Sequence, residues 1–275
     1  MHFLLLLLYP KKLKGYEKTM DKKTLNGKVA LVTGGGGGIG KAVCKKLASI
    51  GVFVYVNDIS DSAKKVVEEI NKERESKMAY FVQYDISDRK AVEEMFKEIK
   101  SQHNGVDILI NNAAVYGPSC KFYEMSYNDF VKTICVDLSG AVYCTLLALP
   151  HMIQNKWGRI IFTAAPMSSS GIPAPYLAGK AGFIGLAKYI SKKFKDVYTF
   201  GLALRHVDTP LIRKAMESRG KNVEEAIKEL NSKSLTGRMI TPEEVAEIYG
   251  YFLTSLWKSL DGTVILADGG ITYLR

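Results

Sequence analysis

The chain has 275 residues, 47% of them hydrophobic, which suffices for one large α/β domain or two small ones. Its formal charge is +10, but residues 1–28 hold seven lysines against Glu17 and Asp21, so about half of the excess lies ahead of the first strand. Such a basic arm could touch nucleic acid or acidic lipid; without aromatic interleaving it reads instead as a solvated tail.

Four cysteines (Cys44, Cys120, Cys135, Cys144) show no paired short spacing, and four histidines are scattered. This suits reduced thiols in a cytoplasmic protein, with no disulfide framework and no metal site. The apolar run at residues 3–9 is far shorter than the ~20 residues that span a bilayer, and lysines follow it where a signal peptide would carry a cleavage site. The reading is therefore a soluble protein. Residues 1–23 are expected to be a disordered extension, residues 1–19 arising upstream of a natural start at Met20. Residues 24–275 form a single domain.

The first strand, Val29–Thr33, runs into Gly34-Gly-Gly-Gly37-Gly38-Ile39-Gly40 and then a helical pattern over Lys41–Ala48. A turn without side chains at a helix N-terminus suits phosphate, because main-chain N–H groups and the positive end of the helix dipole face the ligand. The second strand, Val52–Asn57, ends at Asp58, about 20 residues on, where dinucleotide folds hold the adenosine ribose. Together these predict a nicotinamide-nucleotide site. A 2′-phosphate would meet the charge of Asp58, and neither Ile59 nor Gly35–Gly37 supplies a base to neutralise it. NAD(H) is therefore expected in preference to NADP(H).

An amphipathic helix follows over Ala63–Ser76, then a third strand, Met78–Val82, closed by Gln83-Tyr84-Asp85-Ile86. Ser87-Asp88 caps a helix to about Asn104, and Val106–Ile110 is a buried strand leading into Asn111-Asn112-Ala113-Ala114. A long helix around Tyr127–Ile153 bends near Gly140, and Trp157–Ala165 is the fifth strand. Another helix runs from Tyr176 to about Lys195, followed by strand Val197–Leu204. Residues 210–237 are helical and highly charged and are expected to form a mobile substrate lid. Thr241-Pro242 starts a helix, and Thr263–Leu266 is the last strand. Alternating strands and helices predict a doubly wound, seven-stranded parallel sheet of the Rossmann type, with helices on both faces and ligands at the strands' carboxyl ends.

Tyr176-Leu-Ala-Gly-Lys180 places a phenol and an ammonium on one helix face. A nearby cation lowers a tyrosine's pKa, so Tyr176 is expected to act as general acid/base with Lys180 tuning it.

With Thr33-Gly34-x-x-x-Gly38-Ile39-Gly40, Asp85-Ile86, Asn111–Ala114, Tyr176-x-x-x-Lys180, Val207-x-Thr209 and Asp268-Gly269-Gly270 in this order, the chain resembles the short-chain dehydrogenase/reductase family over roughly residues 24–274. The resemblance implies that Gly34, Gly38 and Ile39, with Gly37 beside them, line the pyrophosphate. It implies that Asp85 and Ile86 hold adenine, and that Asn112, Ala113 and Ala114 run beside the adenine-side ribose. Tyr176 would exchange the proton, Lys180 would bind the nicotinamide ribose, and Val207 and Thr209 would reach the carboxamide and pyrophosphate.

Three positions depart from the family pattern. The serine at the end of the fifth strand falls at Ala165 counted from Gly158, or at Thr163 counted back from Tyr176; Ser168, Ser169 and Ser170 are alternatives on the loop. Asp137 stands where the family has an asparagine whose carbonyl supports a water relay, and its carboxylate is expected to raise the lysine's pKa. Arg205-His206 replaces Pro-Gly after the sixth strand; Arg205 suits a carboxylate or phosphate, or is a plain surface arginine.

The expected function is NAD(H)-dependent interconversion of a secondary alcohol and a ketone, with a 3-oxoacyl reductase-like activity as one variant. The other reading is a cofactor-binding member with little turnover and a regulatory or scaffolding role, because an absent donor costs orders of magnitude in rate. The lid's Arg213, Lys214, Arg219 and Lys221 suit an anionic substrate, diluted by neighbouring glutamates. A homodimer or homotetramer is implied by the family, through helices carrying Ala141, Val142, Cys144, Ala181, Phe183 and Ile184.

Overall fold

Seven strands lie side by side, all parallel, in the order β3-β2-β1-β4-β5-β6-β7. They are β1 (Val29–Thr33), β2 (Phe53–Asn57), β3 (Ala79–Val82), β4 (Ile108–Asn111), β5 (Gly158–Ala164), β6 (Val197–Leu204) and β7 (Thr263–Ala267). The order reverses between β1 and β4, which opens a crevice beyond their carboxyl ends. The computed structural model describes residues 25–167, 172–253, 258 and 260–271. The expected extension over residues 1–23 and the loop serines Ser168, Ser169 and Ser170 lie outside these.

Helices cover both faces, as expected. On one side α1 (Gly38–Ser49), α2 (Ser62–Arg74) and α9 (Pro242–Phe252) bury Val43, Leu47, Val66, Ile70, Val245 and Tyr249 against Ala30, Val32, Val54 and Ile161. On the other, α3 (Arg89–His103), α5 (Ala141–Gln154) and α6 (Ala174–Lys193) bury Val92, Met95, Cys144, Ala148 and Phe183 against Leu31, Tyr55, Ile160 and Phe162. Each such apolar side chain contributes about 1.5–3 kcal/mol on burial, so strands buried on both faces read as continuous apolar runs.

Local chemistry sets the ends of the helices. Asp88 caps α3 by accepting from the N–H groups of Lys90 and Ala91. Thr241 and Glu244 form a reciprocal capping box at α9, with Pro242 at its first position. The expected long helix is three pieces: α4 (Tyr127–Ile134), one π-helical turn over Cys135–Gly140, and α5. The bend read at Gly140 is this π turn. At its end Gly140 admits Ile86, since a Cβ there would lie 2.8 Å from that side chain. Tyr127–Gln154 is apolar enough by length and composition to cross a membrane, yet Ala141, Cys144, Ala148 and Met152 pack it on the sheet.

Residues 210–237 hold two helices rather than one stretch, α7 (Pro210–Glu217) and α8 (Val223–Ser232). They share a small core of Met216, Ala226, Ile227, Leu230 and Met239, separate from the two sheet layers.

Candidate active site

The glycine turn is held by contacts that leave no room for side chains. Gly34 has φ +66°, and a Cβ there would lie 2.8 Å from Ala113 Cα; one on Gly40 would lie 2.0 Å from the Gly34 carbonyl oxygen. Gly37 differs: a Cβ there would meet nothing within 4 Å. It is the N-cap of α1, no side chain caps the helix, and no acid sits in the first turn, so this N-terminus is open to an anion. Asn112 stitches the turn to β4, donating through Nδ2 to the carbonyls of Thr33 (3.0 Å) and Gly34 (3.2 Å). The Thr33 hydroxyl accepts from the N–H groups of Asn112 and Ala113.

Asp58 is half-buried beside this turn. Its Oδ2 accepts from the Gly36 N–H at 3.0 Å, and its Oδ1 accepts from the Ser60 N–H and hydroxyl, each at 3.0 Å. A groove of about 530 Å³ is lined by Gly34, Gly37, Gly38, Ile39, Asp58, Asn112, Ala113, Ala114, Tyr176, Lys180 and Thr209. Lys214 of α7 also lines it, a base that counting neighbours of Asp58 along the chain did not find. Asp85 and Ile86 are not brought into this lining. The Asp85 carboxylate accepts from Ser87, and the Ile86 side chain is buried against Gly140.

Tyr176 and Lys180 lie one turn apart on α6, with the Lys180 Nζ 5.4 Å from the Tyr176 ring centroid. Gly179 between them lets α6 approach the π turn, since a Cβ there would lie 3.0 Å from the Asp137 Cβ. Lys180 and Asp137 are both buried. Asp137 Oδ1 accepts from the Val115 N–H at 2.8 Å, whereas its Oδ2 and the Lys180 Nζ have no hydrogen-bond partner among the described residues.

The electrostatics correct two expectations. Asp137 does pull the Lys180 pKa upward, but burial outweighs it and the lysine ends below its usual value. Tyr176 was expected to be acidified by Lys180; instead burial first, then the charge of Asp137 and the neighbouring phenol of Tyr116, push it up. Asp137 itself is pushed up to about 6, chiefly by burial, with Lys180 and the Val115 N–H pulling the other way.

Thr163, the candidate replacement for the missing serine, has its hydroxyl turned to the α9 side of the sheet. Its Oγ1 lies 2.9 Å from the buried Tyr249 hydroxyl and donates to Asn112 Oδ1 at 3.3 Å. Because the Asn112 Nδ2 faces two carbonyls, its Oδ1 is an acceptor, and the Thr163 hydroxyl is placed to donate to it. Thr163 nonetheless lines both this groove and the cleft beside Tyr176, with its hydroxyl engaged by Tyr249 and Asn112. Ala165 is buried and has no donor.

A second cleft, of about 150 Å³, opens from Tyr176 beside α7. Its apolar wall includes Ile172, Leu204, Ile212, Ala215 and Met216, and Val207 and Thr209 stand at its edge. Its polar side chains were not singled out together by the sequence. Tyr116 packs on Tyr176 with ring centroids 5.2 Å apart, and Arg219 from the end of α7 donates to the Tyr116 hydroxyl. Arg205 and His206 follow β6 into the same cleft. His206 takes φ +52°, a left-handed conformation that glycine adopts freely and histidine at a cost. Burial and the nearby cations push its pKa down to about 4, so it is neutral at physiological pH.

A family model described as short chain dehydrogenase matches residues 28–220. The 3-oxoacyl-[acyl-carrier-protein] reductase of Aquifex aeolicus is 32% identical over 252 residues, covering 90% of this chain and 98% of that protein. The D-beta-hydroxybutyrate dehydrogenase of Cupriavidus necator is 31% identical, with 90% and 98% coverage. Among solved structures, levodione reductase superposes with a TM-score of 0.86 at 22% identity, covering 91% of this chain and 99% of that one. The aldohexose dehydrogenase of Thermoplasma acidophilum gives 0.81 at 24% identity, with 92% and 96% coverage; these two likenesses speak to fold alone.

Proposed function

The chain belongs to the short-chain dehydrogenase/reductase family and is an alcohol/ketone oxidoreductase of it, and from that premise we propose that it is NAD(H)-dependent, with Tyr176 as its acid/base. The observation that carries the reading is the convergence of an uncapped helix N-terminus, a lone carboxylate and the Tyr176/Lys180 pair on one groove.

The groove suits a dinucleotide on its own chemistry. The N–H groups from Gly37 to Ile39 would hold the pyrophosphate, with Thr209 against Gly38 and Lys214 lining the same groove. Asp58 retains unused lone pairs for ribose hydroxyls, and its charge disfavours a 2′-phosphate. Asn112 to Ala114 would flank the ribose, with Asp85 and Ile86 at the adenine through their main chain. The Lys180 Nζ, buried without a partner, would donate to the nicotinamide ribose, and Val207 would meet the carboxamide. The bound cofactor supplies or accepts hydride at the substrate carbon.

The remaining steps belong to the protein. Burial keeps the Tyr176 phenol protonated, the form needed to give a proton to a carbonyl oxygen during reduction. Lys180⁺ stabilises the phenolate left behind, and Asp137 favours the charged lysine without cancelling the cost of burying it. The lid covers the cleft and keeps water from the reacting atoms.

Partners are a small-molecule alcohol or ketone and further copies of the chain. Leu146, Ile153 and Tyr189, exposed on α5 and α6, support association, whereas Ala141, Cys144 and Phe183 of the positions first considered are consumed by the core. Free cysteines at 44, 120, 135 and 144 support a reducing, cytoplasmic setting.

A second reading, a binding protein with little turnover, is favoured by the engagement of Thr163 and by Ala165. The test is NADH-linked reduction of a panel of ketones, oxo acids and 3-oxoacyl thioesters by the wild type and Tyr176→Phe. Loss of turnover in the variant with NADH uptake retained supports the enzyme; equally low turnover in both supports the binding protein.

A further inference from the structure

Among the described residues, those lining the cleft above Tyr176 carry two guanidinium groups, Arg205 and Arg219, and no carboxylate. Resting on the reading of this site given above, we propose that the substrate is a small oxo or hydroxy acid whose carboxylate is held by Arg205 and Arg219, with its carbonyl or hydroxyl at Tyr176.

The structure separates these two bases from the other cations nearby. Of the lid's basic residues, Arg213 is an exposed ion-pair partner of Asp208 and Glu224, and Lys221 pairs with Glu229. Lys214 lines the dinucleotide groove. Arg219 alone of the four lines the substrate cleft, where its contact with the Tyr116 hydroxyl fixes it beside Tyr176.

Arg205 approaches from the opposite element, the end of β6. It lines the substrate cleft and not the dinucleotide groove, so the pyrophosphate is not its ligand. Its Nε is shielded from solvent without a hydrogen-bond partner, and its side chain enters no ion pair among the described residues. A buried donor left without an acceptor carries a free-energy cost that a carboxylate removes, and a planar fork of N–H groups matches two carboxylate oxygens. His206, neutral and lining the same cleft, adds no competing charge. Two like charges facing one cleft repel each other until an anion lies between them. The apolar wall of Ile172, Leu204, Ile212, Ala215 and Met216 and the volume of about 150 Å³ suit a short alkyl chain. A neutral ketone would leave the Arg205 Nε without an acceptor.

Calorimetry on the full chain saturated with NADH tests this, using the unreactive isosteres 3-methylbutanoate and 3-methylbutanamide. The carboxylate is expected to bind about 10- to 100-fold tighter than the amide, the gain of charge-assisted hydrogen bonds. Arg205→Met and Arg219→Met are each expected to bring that ratio within about threefold of unity, and Arg205→Lys to restore part of it as charge without the fork. Equal binding of acid and amide to the NADH complex overturns the proposal while leaving the dinucleotide reading intact, and so does a preference that survives both arginine substitutions. Failure of the protein to take up NADH at all overturns the dinucleotide reading and this proposal with it. Tighter binding of inorganic phosphate than of 3-methylbutanoate, abolished by Arg205→Met, reassigns the subsite to a phosphate-bearing substrate and overturns the carboxylate assignment.

Discussion

Replacing Thr163 by valine separates a structural hydroxyl from a catalytic one. In the wild type the Thr163 hydroxyl meets that of the fully buried Tyr249 at 2.9 Å between β5 and α9. Thr163→Val leaves the Tyr249 hydroxyl with no partner, a cost of about 1–3 kcal/mol. Tyr249→Phe leaves Thr163 still bonded to Asn112 at 3.3 Å and costs about 1 kcal/mol. The double variant is therefore expected to be less destabilised than the sum of the two, by about 1 kcal/mol or more. At roughly 2–4 °C per kcal/mol for a domain of this size, Thr163→Val lowers Tm by about 3–10 °C. Thermal unfolding of the four proteins reads this directly. Steady-state turnover with NADH, taken well below Tm, is expected to change less than about threefold, because an oxyanion donor would instead cost about 100- to 1,000-fold. A kcat loss of that size with an unchanged Tm refutes the assignment and makes Thr163 the substrate's donor.

Four further outcomes follow from the same geometry. Lys180→Met is expected to abolish turnover and weaken NADH uptake by about tenfold or more, read by fluorescence titration. Asp58→Ala should shrink a preference for NADH over NADPH from about tenfold or more towards parity, read as the ratio of the two dissociation constants. Asp137 has a folded pKa of about 6 against an ordinary 3.8, so its contribution to stability is full below about pH 4 and is lost as pH rises through about 6. Asp137→Asn should remove that slope from denaturant midpoints across this window, together with any limb near pH 6 in the turnover profile. Glu244, pushed down to about 2 by Arg238 and the Thr241 N–H, contributes stability present above about pH 4.5 and lost as pH falls towards 2. Glu244→Gln should therefore lower Tm at pH 7 by a few degrees, with the difference vanishing near pH 2.

What was legible in the sequence was local. The glycine turn, Asp58 at the end of β2, the cap at Asp88 and the Tyr176/Lys180 spacing each follow from a few consecutive residues, and the sheet follows from alternating apolar runs. What escaped depends on partners distant in sequence. Nothing near Thr163 marks Tyr249, 86 residues on, as the group that takes its hydroxyl. The direction of the Lys180 and Tyr176 shifts was misread because the charges are visible in the sequence and the depth of burial is not. The bases of residues 210–237 looked equivalent in a run of charge; only packing divides Arg219 in the cleft above Tyr176 from Lys214 in the groove beside Asp58 and Arg213 in a surface pair. The close approach of Ile86 to Gly140, at the end of the π turn, is likewise a tertiary contact that local sequence does not mark.

The most direct trial of the Tyr176 chemistry follows the hydride itself. NADH carrying deuterium at the transferable C4 position is incubated with the oxo-acid and ketone panel, and the carbinol carbon of the product is read by mass spectrometry. The account predicts label on that carbon with the wild type and none with Tyr176→Phe, although both bind NADH. Equal transfer by the two proteins, or no labelled product from either, would contradict it.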